Sequence, residues 1–221
     1  KEHVRQVLEL LRQNKLYAKE SKCELFKDRV EFLGHMVDAQ GIHMMSDKID
    51  AVTGWPVLTS VADVRSFLGT VGYYRKFVHM FSEIATPLTE LLQKERTFEW
   101  GDRQQKAFDQ LKKSVSKQPV LILPDPSKPY VVTTDASGFA VGAWLGQDQT
   151  GDGSLQPIAY LSKKMVPAER NYPVHEQELL AIVIALKEWR HHLSGASFTI
   201  RVVTDHKSLV HLQSQPHLVT G

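Results

Sequence analysis

The order of elements after Pro129 constrains this 221-residue chain more than any other feature. Branched and aromatic residues, separated by turns rich in Gly, Asp and Ser, predict three strands at residues 130–134, 139–145 and 158–161. A long helix over residues 174–193 follows, with Gly195 at its C-terminal capping position, and residues 198–204 predict a fourth strand. This β-β-β-α-β order predicts a mixed sheet covered by a helix, in which the first three strands form an antiparallel meander.

The preceding part of the chain predicts mainly helices. One buried helix face is indicated by the i, i+3, i+4 and i+7 spacing of Val4, Val7, Leu8 and Leu11. A short β stretch around residues 30–37 ends at Gly41, and residues 46–117 predict helices with breaks at Pro56 and Pro87. The clearest of these helices follows a capping box at Ser60-x-x-Asp63, and its apolar face consists of Val64, Phe67, Leu68, Val71 and Tyr74.

Composition excludes several classes of protein. Hydrophobic residues at 42% and charged residues at 24% exclude long disorder, collagen-like and coiled-coil chains. Cys23 is the single cysteine, which excludes an intrachain disulfide and favours a reduced, intracellular setting. No apolar run approaches the roughly 18 residues of a membrane span, so no membrane partner is expected. Because the chain begins at Lys1 rather than Met, we expect an internal piece of a longer protein.

Three carboxylates occupy positions that the predicted topology brings together. Asp135 ends the first strand after Pro129, Asp205 ends the fourth, and Glu178 lies in the first turns of the long helix. If the first and fourth strands are neighbours, both Asp side chains lie at one edge of the sheet, and the helix brings a Glu to the same place. Such a cluster is tolerated mainly when it binds hard divalent cations such as Mg²⁺. Taken singly, each acid also fits an ordinary turn or cap residue.

Helical geometry favours Glu178 over Glu176 as the inward-facing acid. At about 100° per residue, Glu178 falls near the margin of the predicted apolar stripe, whereas Glu176 points a quarter turn or more away. The stripe consists of Ile182, Leu186, Trp189 and Leu193. Glu176 is therefore predicted to be a solvated residue that favours the helix dipole.

The helix after Ser60 also carries a second pattern. Opposite its apolar face lie Arg65, Gly69, Gly72, Tyr73 and Lys76. Each mid-helix glycine costs about 1 kcal/mol relative to alanine, so a compensating contact is expected. Close helix packing is one explanation; close approach to a nucleic-acid backbone, with Arg65 and Lys76 on phosphates, is the other. The pattern leaves both open.

Short motifs at these positions resemble the reverse transcriptase and ribonuclease H region of gypsy-type (Metaviridae) long-terminal-repeat retrotransposons. In chain order they are Glu31-Phe32-Leu33-Gly34-His35, Arg65-Ser66-Phe67-Leu68-Gly69, Gly72-Tyr73-Tyr74-Arg75, Pro119-Val120-Leu121, Thr134-Asp135-Ala136-Ser137, Pro157-Ile158-Ala159-Tyr160, Glu178-Leu179-Leu180-Ala181 and Thr204-Asp205-His206-Lys207. Each motif alone is weakly specific, but their order and spacing over nearly the whole chain identify the family strongly.

The resemblance implies an α+β fold, in which a helical thumb precedes a ribonuclease H-like mixed α/β sheet with a covering helix. Residues 1–43 correspond to the C-terminal remnant of the polymerase palm. Residues 44–118 correspond to the helical thumb and connecting region, and residues 119–221 to an incomplete ribonuclease H-like domain.

The resemblance also implies the chemistry and the partners. Asp135, Glu178 and Asp205 correspond to the catalytic, metal-binding acids, which hold two Mg²⁺ ions about 4 Å apart, with Mn²⁺ as an alternative. One ion activates water and the other stabilises the leaving 3′ oxygen when the RNA strand of an RNA–DNA hybrid is cut. The thumb helix corresponds to one that tracks the minor groove of the primer–template duplex, which implies nucleic-acid-binding roles for Arg65, Gly69, Tyr73 and Lys76.

The chain departs from the family in two respects. The polymerase motif Tyr-x-Asp-Asp is absent, so polymerisation is expected to need the remaining polymerase domain of the same polyprotein, which is a predicted partner. A fourth acid and further elements follow the fourth strand in the family, whereas this sequence ends at Gly221, so the ribonuclease domain is expected to be C-terminally truncated. The alternative functions are a non-catalytic nucleic-acid-binding or structural fragment, or a host-adopted remnant. The expected location is the cytoplasm, in virus-like particles, with the nucleus as the alternative.

Overall fold

The computed structural model describes residues 1–94, 96–117 and 119–205. His206 and Lys207 of the last motif, and the end of the third predicted domain, lie outside the described residues. The helices are α1 Glu2–Gln13, α2 Ser46–Thr53, α3 Val61–Tyr73, α4 Phe81–Ile84, α5 Thr86–Glu90, α6 Asp102–Ser116, α7 Pro167–Arg170, α8 Val174–Glu188 and α9 Arg190–Leu193. The strands are β1 Arg29–Phe32, β2 His35–Asp38, β3 Gly41–Met44, β4 Val131–Ala136, β5 Ala140–Gln147, β6 Gln156–Lys164 and β7 Arg201–Thr204.

A small antiparallel sheet, in the order β1-β2-β3, occupies the first part of the chain. Leu33 and Gly34 form the tight turn between β1 and β2 with φ values of 47° and 68°, as a two-residue hairpin turn with left-handed backbone requires. This sheet is joined to a later part of the chain through reciprocal backbone hydrogen bonds between Ile42 and Leu121, 2.7 and 3.0 Å long. The predicted β stretch is therefore a three-stranded meander tied to the segment that leads into the second sheet.

Helices α2–α6 surround the larger apolar core. Phe67 on α3 is fully buried and packs against Phe108 on α6, with 4.8 Å between ring centroids. At the start of α3, the Ser60 hydroxyl accepts a hydrogen bond of 3.1 Å from the Asp63 backbone N–H, which confirms the predicted N-terminal cap. The predicted apolar face of α3 is confirmed, with Leu68 only partly buried.

The second sheet has the strand order β6-β5-β4-β7. Strands β4, β5 and β6 are antiparallel neighbours, and β7 lies parallel to β4, with Thr134 opposite Thr204. Helix α8 covers one face, where Ala181 and Ala185 are buried against β4 and β5. The α+β fold, with its meander, mixed sheet and covering helix, is confirmed.

The other face of this sheet rests on the helical region. The Ser82 backbone N–H donates a 2.8 Å hydrogen bond to the Ser162 hydroxyl on β6. Met80 lies over Gly142 of β5 so closely that an added Cβ on Gly142 would overlap its sulfur. The helical region and the sheet therefore share a packed interface, which fixes α3 and its following turn relative to the strand ends.

Helix α1 differs from its prediction in burial. It forms over Glu2–Gln13, yet none of its residues is buried, and Val7 and Leu8 are 54% and 47% exposed. The expectation of a buried face is wrong for the part of the chain that the structure describes, because no other described element packs over this helix. Among the described residues, no helix combines the length and apolar character needed to span a bilayer.

The β2–β3 hairpin contains an acid-sensitive carboxylate. Asp38 lies 2.8 Å from His43 Nε2 and 3.0 Å from Arg29 Nη2. The hydrogen bond from His43, aided by those from the Gln40 backbone N–H and Arg29, lowers the pKa of Asp38 from 3.8 to about 2.

We expect the stability of this hairpin to fall between about pH 4 and pH 2. The folded pKa lies below the unfolded one, so the stabilising contribution of Asp38 is complete above the unfolded pKa and is lost as pH falls through the folded pKa. Carboxyl ¹³C shifts measured by NMR should place the Asp38 midpoint near 2. The Asp38→Asn variant should lose this part of the acid dependence, and a midpoint near 3.8 would refute the assignment.

Candidate functional site

The three sequence-predicted acids converge at one end of the second sheet. Asp135 is the fifth residue of β4, Asp205 directly follows β7, and Glu178 lies in the second turn of α8. One carboxylate oxygen from each lies within 4.8 Å of the others. The parallel pairing of β4 with β7 explains this convergence, because it places the carboxyl ends of both strands side by side.

Burial differs among the three acids. Glu178 is 3% exposed, Asp135 is half-buried and Asp205 is exposed, so the cluster opens to solvent on the Asp205 side. Glu176 is exposed, as predicted from its helix position. A site with one buried wall and one open side suits a hydrated cation that must also meet an external ligand.

The predicted apolar stripe of α8 is partly wrong. Leu186 is 36% exposed and Ile182 only half-buried, whereas Ala181 and Ala185 continue the buried face that begins at Glu178. Glu178 therefore lies on the buried face rather than at its margin. The regular helix ends at Glu188, but Trp189 and Leu193 continue the spacing of four residues from Ala185 and are buried in the same apolar cluster. The small alanines allow α8 to lie close to the sheet.

Thr204 contributes to the site although its motif had suggested no role for it. Its hydroxyl lies 3.4 Å from Glu178 Oε2, on the strand that leads into Asp205. A hydroxyl beside a buried ligand carboxylate fixes that carboxylate's orientation, as outer-shell groups do in metal sites. Position alone could have indicated it, since Thr204 precedes Asp205 as Thr134 precedes Asp135.

We expect Thr204→Val to weaken Mn²⁺ binding to the three carboxylates about tenfold, the lower end of the range typical of outer-shell substitutions. Valine keeps the shape of threonine but cannot donate to Glu178. Isothermal titration calorimetry measures the effect, and Thr204→Ser is the matched control, because it keeps the hydroxyl. Equal affinities in the valine variant and the wild type would exclude this role.

The donor set fits hard divalent cations. Carboxylate oxygens are the ligands that Mg²⁺ and Mn²⁺ prefer, and three of them at this separation can hold a metal ion. The cluster includes neither a cysteine nor a histidine, so soft or zinc-selective coordination is not favoured by these residues.

Helix α3 presents a second candidate surface. Arg65 and Gly69 are exposed, and an added Cβ at Gly69 or Gly72 would meet no heavy atom of the described residues within 4 Å. Of the two explanations for these glycines, close helix packing therefore has no support in the described part of the chain. The exposed backbone of α3 remains accessible to a ligand.

The structure does not place Tyr73 and Lys76 on one continuous helix face, as their spacing had predicted. Helix α3 ends at Tyr73, so Lys76 lies in the following 3-10 turn rather than on the helix, because the chain turns at Tyr74 to bury Phe77. The Tyr73 hydroxyl donates to the Leu33 backbone carbonyl, although the residue is 53% exposed. Lys76 is half-buried, and desolvation lowers its pKa. Tyr73 thus offers a ring face rather than a free hydroxyl.

Sequence comparisons place the chain among retrotransposon proteins. It is 36% identical over 208 residues to the transposon Tf2-3 and Tf2-4 polyproteins of Schizosaccharomyces pombe. These matches cover 94% of this chain and 16% of each polyprotein, so the chain spans about a sixth of the length of these relatives.

Structural comparisons give the same fold. A foamy viral protease-reverse transcriptase solved in complex with double-stranded DNA superposes with a TM-score of 0.74, at 23% identity, over 96% of this chain and 37% of the viral one. A foamy viral protease-reverse transcriptase in complex with RNA/DNA hybrid superposes with a TM-score of 0.69, at 24% identity, over 89% of this chain and 26% of the viral one.

A family match covers three of the four strands of the second sheet, β4 to β6, and the covering helix α8. Residues 100–200 match the RNase H-like domain found in reverse transcriptase. Together with the retrotransposon relatives and the order of the motifs, this match shows that the chain belongs to the reverse transcriptase and ribonuclease H region of gypsy-type long-terminal-repeat retrotransposon polyproteins.

Proposed function

We propose that this chain is the thumb and ribonuclease H part of a retrotransposon reverse transcriptase, and that it hydrolyses the RNA strand of RNA–DNA hybrids. The observation that carries the proposal is the convergence of Asp135, Glu178 and Asp205 within 4.8 Å at the end of an RNase H-like sheet. Three separate segments supply these acids, and two of them end adjacent strands.

The proposed roles follow from the positions of the side chains. Asp205 is the ligand on the open side, nearest an incoming phosphate. Asp135 is the half-buried ligand, and Glu178 is the buried ligand oriented by Thr204. These carboxylates would hold two Mg²⁺ ions, which when bound would supply an activated water and neutralise the charge that develops on the leaving 3′ oxygen. The chain's own contribution is to fix three hard ligands in a half-buried site where charges interact strongly.

We further propose that α3 and the turn after it grip the duplex. Arg65 is exposed, Gly69 leaves the helix backbone open, Tyr73 presents a ring face and Lys76 lies at the following turn. Support comes from the foamy viral proteins of the same fold, which were solved with double-stranded DNA and with RNA/DNA hybrid. In this proposal residues 1–43, 44–118 and 119–221 are palm remnant, thumb and ribonuclease H-like domain.

Incubation of the chain with an end-labelled RNA–DNA hybrid in Mg²⁺ tests the proposed activity. We expect cleavage of the RNA strand with the DNA strand intact, and loss of cleavage when EDTA is added. Double-stranded DNA of the same sequence is the matched control substrate. Absence of RNA cleavage, or equal cleavage of both substrates, would contradict the proposal.

We expect Gly69→Ala to stabilise the chain by about 1 kcal/mol and to weaken duplex binding. Alanine is the better helix former, and its Cβ meets no described neighbour, whereas a nucleic-acid backbone approaching α3 would meet it. Urea unfolding and fluorescence anisotropy with a labelled duplex measure the two effects. Ser66→Ala, on the adjacent exposed position of α3, should also stabilise but leave binding unchanged. Unchanged binding in Gly69→Ala would exclude α3 as the contact surface.

A further inference from the structure

We propose that a basic groove along the edge strand β6 binds the sugar-phosphate backbone of the hybrid beside the carboxylate site, an inference that rests on the proposed function. The groove has a volume of about 630 Å³ and lies where the turn after α3, strand β6 and helix α8 meet. We call it the β6 groove, and its charged lining residues are Arg75, Lys163, Lys164, Lys187 and Glu188.

The β6 groove carries an excess of positive charge. Four cations face one carboxylate, although the whole chain has a formal charge of only +2. Within residues 1–94, 96–117 and 119–205, none of the four cations makes an ion pair or a side-chain hydrogen bond, whereas Arg5, Arg12 and Arg29 each pair with a carboxylate. Like charges held together without partners repel one another, and a polyanion relieves that repulsion.

The packing of the molecule holds these cations in place. Arg75 belongs to the 3-10 turn that buries Phe77, and Lys187 lies in the last turn of α8. The hydrogen bond from Ser82 to Ser162 joins the helical region to β6 in the lining of the same groove. The groove therefore exists only because the helical region and the sheet are packed together, and a ligand in it contacts both.

The sheet register relates the groove to the acids. Asp135 pairs with Gly142 on β5, and Gly142 pairs with Ser162 on β6, so the groove begins two strands away from Asp135. At about 4.8 Å between strands, this separation is about 10 Å. Lys163 and Lys164 lie at the end of β6 that corresponds to the carboxylate end of β4. With one phosphate per about 3.4 Å of axis on each strand, 10 Å corresponds to about three base steps from the cleavage position.

The charge and its position favour a phosphate backbone over an acidic protein segment. Lysine ammonium groups are point charges that suit phosphates at variable geometry, and Arg75 adds a planar donor for bidentate contact. Neither base-edge readout nor an apolar pocket is needed. We therefore expect binding in this groove to be independent of sequence and strongly dependent on salt.

Salt-dependent binding of a fluorescein-labelled RNA–DNA hybrid to the full chain tests this inference. Anisotropy titrations at several KCl concentrations in Ca²⁺, which replaces Mg²⁺ to suppress cleavage, give the slope of log K against log [salt]. We expect Lys163→Ala/Lys187→Ala to reduce the magnitude of this negative slope by about 1–2, since each phosphate contact contributes about 0.9 to it. The matched control is Lys22→Ala/Arg201→Ala, which removes two exposed cations outside the groove and should keep the slope. Thermal unfolding should be the same for all three proteins.

Each outcome bears on the groove separately from the carboxylate site. If wild type cleaves the hybrid but the two double variants have the same salt slope as each other, the groove proposal is overturned and the proposed nuclease activity stands. A reduced slope in the groove variant without cleavage in wild type supports the groove and contradicts the nuclease. Failure of the wild-type chain to bind the hybrid overturns the groove proposal. The proposal is also overturned if Lys163→Ala/Lys187→Ala loses the binding of poly-glutamate that wild type shows while its salt slope with the hybrid is unchanged, because the groove would then bind an acidic peptide.

Discussion

Asp135→Asn is expected to lower the rate of RNA cleavage in RNA–DNA hybrids by more than about 100-fold. Asparagine keeps the size of the side chain but replaces one of the three carboxyl groups, whose ligand oxygens lie within 4.8 Å of one another, by a neutral amide that is a weaker ligand for a hard cation. Even outer-shell partners of a metal site typically contribute 10–100-fold, so loss of a direct ligand should exceed that range. The effect should appear as a lower rate at saturating hybrid, with unchanged hybrid affinity, because Asp135 is not among the proposed duplex-gripping residues.

Glu176→Gln is the matched control for the acids. It removes a carboxylate two residues from Glu178 on the same helix, but Glu176 is exposed and outside the cluster. We expect Glu178→Gln to behave like Asp135→Asn, and Glu176→Gln to behave like wild type. Equal losses in the two glutamine variants would show that net charge, rather than this cluster, controls the rate.

Gly41→Ala is expected to destabilise the chain by about 2–6 kcal/mol. Gly41 has a φ of +139°, a conformation that costs a residue with a Cβ about 1–3 kcal/mol. An added Cβ would also overlap the Leu121 carbonyl oxygen, and such overpacking costs about 1–3 kcal/mol more. The contact is with backbone, so no side-chain rotation relieves it, and the hydrogen bonds between Ile42 and Leu121 must lengthen. Urea unfolding monitored by tryptophan fluorescence measures the change.

Gly151→Ala separates the two causes of this destabilisation. Gly151 also has a positive φ, +81°, but a Cβ there would meet no described atom within 4 Å. Only the cost of placing a residue with a Cβ in this left-handed backbone conformation applies, so we expect the free energy of unfolding to fall by about 1–2 kcal/mol. If both variants lose the same free energy, the close approach of Gly41 to Leu121 does not hold the small sheet against the rest of the chain.

Local patterns predicted most of the fold. Alternating and periodic apolar residues located the β4–β7 strands and the α3 and α8 helices. All of these elements except the largely exposed β7 bury residues in a core. Helix α1 shows the limit of that reasoning, since an apolar periodicity does not reveal whether anything covers it. The burial of α8 was mispredicted because two alanines, which carry little hydrophobic signal, form the contact face.

The candidate site was predictable in its ligands but not in its surroundings. Asp135 lies near the end of β4 and Asp205 directly follows β7, and strand pairing makes their meeting a consequence of topology. Thr204 orients Glu178 across 26 residues of sequence, and the β6 groove combines Arg75 with Lys163 and Lys187. No spacing rule connects residues that distant, because only the packing of the helical region on the sheet brings them together.

Anomalous diffraction from crystals of the full chain grown with Mn²⁺ would test the central claim most directly. We expect anomalous peaks coordinated by the carboxylates of Asp135, Glu178 and Asp205, present in wild type and Glu176→Gln and absent in Asp135→Asn. Peaks elsewhere with none at these carboxylates, or peaks that persist unchanged in Asp135→Asn, would contradict it.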